Sequence, residues 1–348
     1  MSEKLFLYYS LFLITNFILC FFILKLIIGN KIKYFNKILI KKKSDLKMHS
    51  YSIYQNAGFV IIGLFLIISF SIYFFFYKDS YFIENISRPL IFFISILILY
   101  AISIYDFKNN LHPIYRLITQ IILVYMSLTL IKFPLVPIEY IPLKIQYLMV
   151  IIFWVYIINI VNFVDGLDGL IGITSVGFFT NVIIFSILFK INSVNIYISS
   201  LIIPLLLAFL IFNKPKAKIF LNDVGSIPLG YIIGFCLINI IQINNWYFFL
   251  SLFLYFIIDV TFTLFRKIKN GHYPWARLFD YLFLKPVLKG KKSHWYVLKF
   301  VFLYYLFMCF VILIIHHYQL NNIYLFFYSL AASLIIFWNF NKFNSKLN

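Results

Sequence analysis

Residues 146–189 read QYLMVIIFWVYIINIVNFVDGLDGLIGITSVGFFTNVIIFSILF. Two apolar runs, 146–162 and 171–189, flank a short polar hinge. Each run reaches the ~17–25 residues that a helix needs to cross a ~30 Å hydrocarbon layer. The hinge, Asn162-Phe-Val-Asp165-Gly-Leu-Asp168-Gly169-Leu170, sets an amide, two carboxylates and two glycines at the mouth of that apolar pair. The composition generalises the pattern: 63% of residues are hydrophobic, 12% are charged, and the mean hydropathy is +0.95. No soluble core uses that much apolar surface, so lipid is the solvent for most of the chain.

Reading outward from the hinge gives eleven expected spans, at about 5–28, 58–77, 89–104, 114–131, 146–162, 171–189, 195–212, 227–243, 246–264, 299–315 and 322–338. The fold class expected is an all-α integral membrane protein, with residues 1–348 forming a single polytopic domain. Only the segments 29–57 and 265–298 are long enough for substantial surface structure. Threading eleven spans gathers Lys31, Lys33, Lys37, Lys41, Lys42, Lys43 and Lys47 of the first segment on one side. Arg266, Lys267, Lys269, Arg277, Lys285, Lys289, Lys291 and Lys292 of the second fall there too, with Lys214, Lys216 and Lys218. Loops rich in Lys and Arg stay in the cytoplasm, which predicts an outside N-terminus, a cytoplasmic C-terminus and two cytoplasmic loops at 29–57 and 265–298. The same lysines account for the formal charge of +19 without nucleic acid, because they set topology and attract anionic headgroups. Cys20, Cys236 and Cys309 fall inside expected spans without metal-ligand spacing, so buried thiols are expected and no disulfide framework. The first span is too long for a cleaved leader and is read as a retained helix.

With only 11 acidic residues, each can be placed. Glu3, Asp79, Glu84 and Glu139 fall outside, and Asp45 lies among lysines. Asp106, Asp165, Asp168 and Asp223 all fall at cytoplasmic span boundaries, Asp259 inside a span and Asp280 in the long loop. Ionisable groups at such positions are costly and face a bundle interior or a wet cavity. Hard carboxylate oxygens suit Mg²⁺, which takes one or two carboxylates and completes its shell with water and substrate phosphates. The plainer alternative is that each aspartate caps a helix or pairs with a lysine. Asp223-Val-Gly225-Ser226 opens a span, so its backbone N–H groups are also candidates to face an anion.

Taken in order, these motifs resemble the polyprenyl-phosphate N-acetylhexosamine-1-phosphate transferases, the family that includes phospho-MurNAc-pentapeptide translocase. The hinge matches that family's N-x-x-D-G-x-D-G-L segment without a gap. Asn213-Lys-Pro-Lys-Ala217-Lys-Ile-Phe220-Leu-Asn-Asp223-Val-Gly225-Ser226 is similar to its N-x-x-x-A-K-x-F-x-G-D-x-G-S segment. The stretch from Asp106 through Leu111-His-Pro113-Ile-Tyr-Arg116-Leu-Ile-Thr-Gln120 is similar to D-D-x-x-x-x-L-S-P-x-x-R-L-x-x-Q. Asp259, Thr263 and Arg266 fall where members end a helix with Asp, Thr and Arg, and Ser293-His294 resembles a late Ser-His pair.

The resemblance implies attack of a polyprenyl phosphate, undecaprenyl phosphate in bacteria, on a UDP-sugar. UMP is released and a surface polysaccharide is initiated. It implies Mg²⁺, with Mn²⁺ as a substitute, held by Asp223 and Asp106. Asp106, Asp165, Asp168 and Asp223 become the catalytic set, and Asn162, Asn213, Gly225, Ser226, Arg266 and His294 the substrate-binding set. It further implies a bacterial inner (cytoplasmic) membrane protein whose active site is on the cytoplasmic face; a homodimer stays open.

Departures fall at particular places. Tyr105-Asp106 replaces the paired aspartates and Asn222-Asp223 the usual G-D. The early H-x-x-P-x-P-R-G-G segment survives only as His49 followed by Gln55-Asn-Ala-Gly58. The late H-R-x-H cluster reads Ala276-Arg277-Leu278-Phe279, which favours an N-acetylhexosamine-type sugar over the muramyl-pentapeptide. His272 and His294 remain in that loop. Two rival readings are a non-catalytic relative that binds prenyl lipid or partner proteins, and a transporter or lipid flippase. For the transporter, Asp259 is the one acid deep in a span.

Overall fold

The structure, a computed structural model, describes residues 3–29, 41–43, 52–55, 57–76, 87–128, 141–191, 193–241, 246–273 and 280–343. His49, Asn56, Asp45, Asp79, Glu84, Glu139 and the stretch 274–279, with Arg277, lie outside the described residues.

The chain is built from helices α1 (Glu3–Ile28), α2 (Gly58–Phe76), α3 (Ser87–Asn109), α4 (Pro113–Leu128), α5 (Leu143–Val164), α6 (Leu170–Leu188) and α7 (Ser193–Asn213). These are followed by α8 (Asp223–Ile241), α9 (Trp246–Ser251), α10 (Leu254–Lys269), α11 (Lys285–Leu288), α12 (His294–His317) and α13 (Ile323–Asn341). Strands β1 (Lys41–Lys43) and β2 (Ser52–Tyr54) form a small antiparallel ribbon. Among the described residues, 8 helices are long and apolar enough to cross a membrane, and two shorter apolar helices, Gly58–Ile72 and Pro113–Leu128, lie at other expected spans. The protein is thus a helical membrane protein. The expected span at 246–264 is not one continuous helix: a turn at Leu252–Phe253 divides α9 from α10, and α10 runs on to Lys269.

Helix α8 is the hub. Of its apolar window, 89% is buried, more than in any other long described helix, and it packs against α2, α3, α5 and α9. Small residues make this possible. A Cβ on Gly234 would meet Trp154 Cδ1 at 2.1 Å, and one on Gly230 would meet the Ile158 Cα at 2.8 Å. Lipid tails are as apolar as leucine, so close backbone approach and dispersion drive helix association. Polar side chains then pin the register. Trp154 Nε1 donates to the Tyr231 carbonyl at 3.1 Å, the Ser127 and Tyr231 hydroxyls share a hydrogen bond, and Asn159 Nδ2 donates to Gln120 Oε1 at 2.9 Å. Asn195 Nδ2 reaches the Cys236 carbonyl at 3.1 Å, and Asn181 Nδ2 the Tyr305 carbonyl at 3.1 Å. At about 0.6 kcal/mol each, such bonds specify alignment more than they supply stability. Cys20 and Cys236 are buried free thiols, and Cys309 is half-buried and free.

Helix ends alternate so that one end of the bundle collects the starts of α2, α4, α6, α8 and α12 and the finishes of α3, α5 and α7. The side-chain and backbone contacts that join these ends are the contents of the site.

Candidate active site

Asp106 lies in the last turn of α3, where the chain leaves through Asn110 in a left-handed conformation (φ 49°). Its Oδ1 accepts the Leu111 N–H at 2.6 Å, which ties the α3–α4 turn to the carboxylate. Its Oδ2 accepts Arg116 Nη1, from the first turns of α4, at 3.0 Å. The same Nη1 donates to Asp223 Oδ2 at 2.5 Å, at the start of α8. One guanidinium nitrogen therefore joins two carboxylates more than a hundred residues apart in sequence. All three side chains retain solvent access, with 22% of the Arg116, 11% of the Asp106 and 29% of the Asp223 side chain exposed.

Asp165, one residue past α5, turns back under this pair. Its Oδ2 accepts the Asn222 N–H at 2.6 Å, and its Oδ1 is buried with no hydrogen-bond partner among the described residues. Burial, with the Asp223 charge adding to it, pushes the Asp165 carboxyl up to about 8. Asn222 itself is left-handed (φ 57°), a conformation that Asn tolerates better than most residues. The Gly225 and Ser226 N–H groups both donate to the Asn222 carbonyl, at 2.8 and 2.9 Å. At this helix mouth the Asp165 carboxyl thus takes the Asn222 donor, and the Asn222 carbonyl takes those of Gly225 and Ser226. Ser226 Oγ donates to Asn162 Oδ1 at 2.8 Å, fixing the Asn162 amide from the α8 side. Gly225 serves packing. A Cβ on Gly58 would fall 2.2 Å from the Gly225 nitrogen, so the starts of α2 and α8 touch backbone to backbone. The chain before α2 extends this contact, with Tyr54 N–H donating to the Lys218 carbonyl and Phe220 N–H to the Tyr54 carbonyl, at 3.1 and 2.9 Å.

Asp168 and Asn213 lie deeper. Asp168 Oδ2 accepts the Lys216 and Ala217 N–H groups, each at 3.1 Å, and lies 3.4 Å from His294 Nδ1 at the start of α12. Asn213 is fully buried; its Oδ1 accepts the Gly169 N–H at 3.0 Å and its Nδ2 donates to the Ile219 carbonyl at 2.9 Å. Together they clamp the loop 214–222 to the hinge. Gly169 is left-handed (φ 75°), which glycine adopts without the usual penalty, and a Cβ there would lie 2.9 Å from Leu298 Cδ1. Gly166 carries no such requirement, so of the two hinge glycines only Gly169 makes the turn.

Asp259 is fully buried. It accepts the Leu282 and Phe283 N–H groups at 2.8 and 3.0 Å, the Tyr255 hydroxyl at 3.1 Å and the Thr263 hydroxyl at 3.3 Å. Four donors make it the anchor of the short 3₁₀ turn Leu282–Leu284. Arg266 pairs with the Asp280 carboxylate and also reaches the Asp280 carbonyl at 3.2 Å. Tyr281 stacks on Phe163 of α5, which brings this loop against the hinge. Lys285 is buried here, and desolvation pulls its amine down to about 8.

The residues brought together are thus Asp106, Arg116, Asn162, Asp165, Asp223 and Ser226, with Asp168, Asn213, Gly169, Gly225 and His294 as their support. Arg266 belongs to the neighbouring Asp280 loop. Sequence reading missed Arg116 as a site residue although it quoted the stretch that contains it; the signal was a lone arginine at the mouth of an apolar helix, ten residues after an aspartate.

Residues 89–241 match glycosyl transferase family 4. That stretch contains Asp106, Arg116, the hinge, Asn213 and Asp223, so the similarity to that family covers the part of the chain that builds the site. A stretch of 39 residues is 51% identical to the phospho-N-acetylmuramoyl-pentapeptide-transferase of Leuconostoc mesenteroides subsp. mesenteroides, covering 11% of this chain and 12% of that relative's length.

Proposed function

We propose that the protein transfers a sugar-1-phosphate, of the N-acetylhexosamine type, from a UDP-sugar to a polyprenyl phosphate at the cytoplasmic membrane face. A lipid phosphate oxygen forms a bond to the β-phosphorus while the bond from that phosphorus to the bridging oxygen of the UMP moiety breaks. Polyprenyl-diphospho-sugar and UMP are the products. The observation that carries this reading is the convergence of Asp106 and Asp223 on one cation, inside the segment that matches the family.

Phosphoryl transfer depends on positioning and on neutralising charge, and little covalent chemistry is asked of the protein. Two hard carboxylate oxygens converging at a solvent-accessible point suit Mg²⁺, which draws the rest of its shell from water and phosphate. No group of three or more His, Cys, Asp or Glu competes for that role among the described residues. Asp223 and Asp106 would hold the ion, which supplies charge neutralisation at the phosphates when bound. Asn162, fixed by Ser226, orients the nucleotide-sugar. Asp165, in its protonated form, keeps the loop before α8 in place without adding a third negative charge beside two phosphates. Asp168, Asn213 and His294 hold the loop 214–222 against the hinge. Tyr105, more than half exposed at the position of the family's first carboxylate, leaves Asp106 as the acid of that turn.

The four donors on Asp259 weigh against the transporter reading. A transported ion or proton would have to compete with four hydrogen bonds for that carboxylate, at about 1.5–3 kcal/mol for each bond to a charged group.

The test uses the purified protein in detergent with undecaprenyl phosphate, Mg²⁺ and a panel of UDP-N-acetylhexosamines. UMP release that requires the lipid and is abolished by EDTA is expected, and Asp223→Ala should lower it by about a hundred- to a thousandfold while the protein still inserts. Polyprenyl phosphate binding with no UMP from any donor would shift the assignment to a non-catalytic lipid-binding relative.

A further inference from the structure

Arg116 is an unusual partner for Asp106 and Asp223. A guanidinium typically meets a carboxylate as a fork, with two parallel N–H bonds. Here a single nitrogen serves both carboxylates, at 3.0 and 2.5 Å, and among the described residues these are the hydrogen bonds that the side chain makes. The nitrogen thus behaves as a point cation between two hard oxygens, a place that a small divalent ion fills better. The arginine enters from the first turns of α4, with 22% of its side chain exposed. Without a cation, two carboxylates this close would repel.

We propose that Arg116 is a displaceable counter-cation: it holds Asp106 and Asp223 together until a divalent metal ion takes its place, and it is then released toward the anionic substrates. The proposal rests on the transferase reading for its purpose. It is tested without turnover, so the two can fail separately. Ordering follows from it, because metal entry creates the free guanidinium that a phosphate then captures. Arg116 is accordingly a positioning residue in the free protein and a phosphate ligand only after the exchange.

The experiment is Mn²⁺ binding to the purified full-length protein in detergent, without substrate, followed by the loss of the free-ion electron paramagnetic resonance signal. Asp223→Asn should abolish the tight component. Arg116→Gln should tighten it by about tenfold or more, because a competing positive charge has gone. Arg116→Lys, which retains a point charge, should lie between Arg116→Gln and wild type. A merely structural bridge gives the opposite sign: losing it would let the carboxylates drift apart and weaken the metal. Unchanged or weaker Mn²⁺ binding by Arg116→Gln, in a sample whose melting temperature shows it folded, would overturn the proposal. So would wild-type binding by Asp223→Asn, which would put the metal elsewhere.

Discussion

Asp165 places a carboxyl where a charge is hardest to keep. One oxygen is held by the backbone at Asn222, the other is buried without a partner among the described residues, and Asp223 stands nearby. Its proton is held up to about 8 in the folded protein, against 3.8 as the ordinary value. The folded state binds that proton more tightly than the unfolded chain does, so the contribution to stability is full below the lower value. It is lost as the pH rises through the higher one. In EDTA, the melting temperature of wild type should therefore fall between pH 5 and pH 8 relative to that of Asp165→Asn, whose amide mimics the protonated acid. Parallel curves for the two proteins would show that Asp165 titrates like a solvated carboxyl. At this scale the sequence was informative but incomplete. Asp106, Asp165 and Asp223 announced themselves because a chain with so few acids placed them at helix mouths. Arg116 did not, because its value comes from α8, and no local pattern couples α4 to a helix a hundred residues on. The roles of Asp168 and Asn213 were hidden for a related reason: their partners are backbone N–H and C=O groups, which every sequence has.

Helix contacts turn on individual small residues. The starts of α2 and α8 meet at Gly58 and Gly225, and an added Cβ on Gly58 would overlap backbone atoms, which cannot rotate away. Gly58→Ala should therefore destabilise the protein by at least about 1–3 kcal/mol, the range for overpacking a tight contact, and should disturb the turn that carries Asn222 and Asp223. Gly271→Ala is the control. Gly271 is left-handed (φ 76°) with nothing within 4 Å of its Cβ direction, so only backbone strain of about 1–2 kcal/mol is expected. Equal losses in thermal unfolding would mean that the α2–α8 contact is looser than the structure has it. Most helices were legible as apolar runs, since lipid demands length and apolarity of every span. The division at Leu252–Phe253 was not, because both residues are as apolar as their neighbours and neither is Gly or Pro. What sets α10 apart is tertiary: Asp259 must face the 3₁₀ turn and its two N–H groups, a demand invisible in a hydropathy trace.

Across the whole molecule, the contacts that build the site all lie at one end of the bundle. The exposed lysines of the loop 214–218 share that end, and the α12–α13 turn, with Tyr318 exposed, lies at the far end of α12 from His294. Charge asymmetry predicts that the site end faces the cytoplasm. Two reporters, each with one accessible cysteine, decide the matter. The native thiols Cys20 and Cys236 are buried and should stay silent toward a membrane-impermeant maleimide, and Cys309 is replaced by serine in both. Lys218→Cys, on the site end, should label only after the cells are opened, whereas Tyr318→Cys should label in intact cells. The reverse pattern would put Asp106 and Asp223 outside, where cytoplasmic nucleotide-sugars do not reach, and would count against the transferase reading itself. Labelling of both reporters in intact cells would instead mean that the helices between them do not cross the membrane as an odd number of passes, and the eleven-span threading would have to be redrawn from α8 onward.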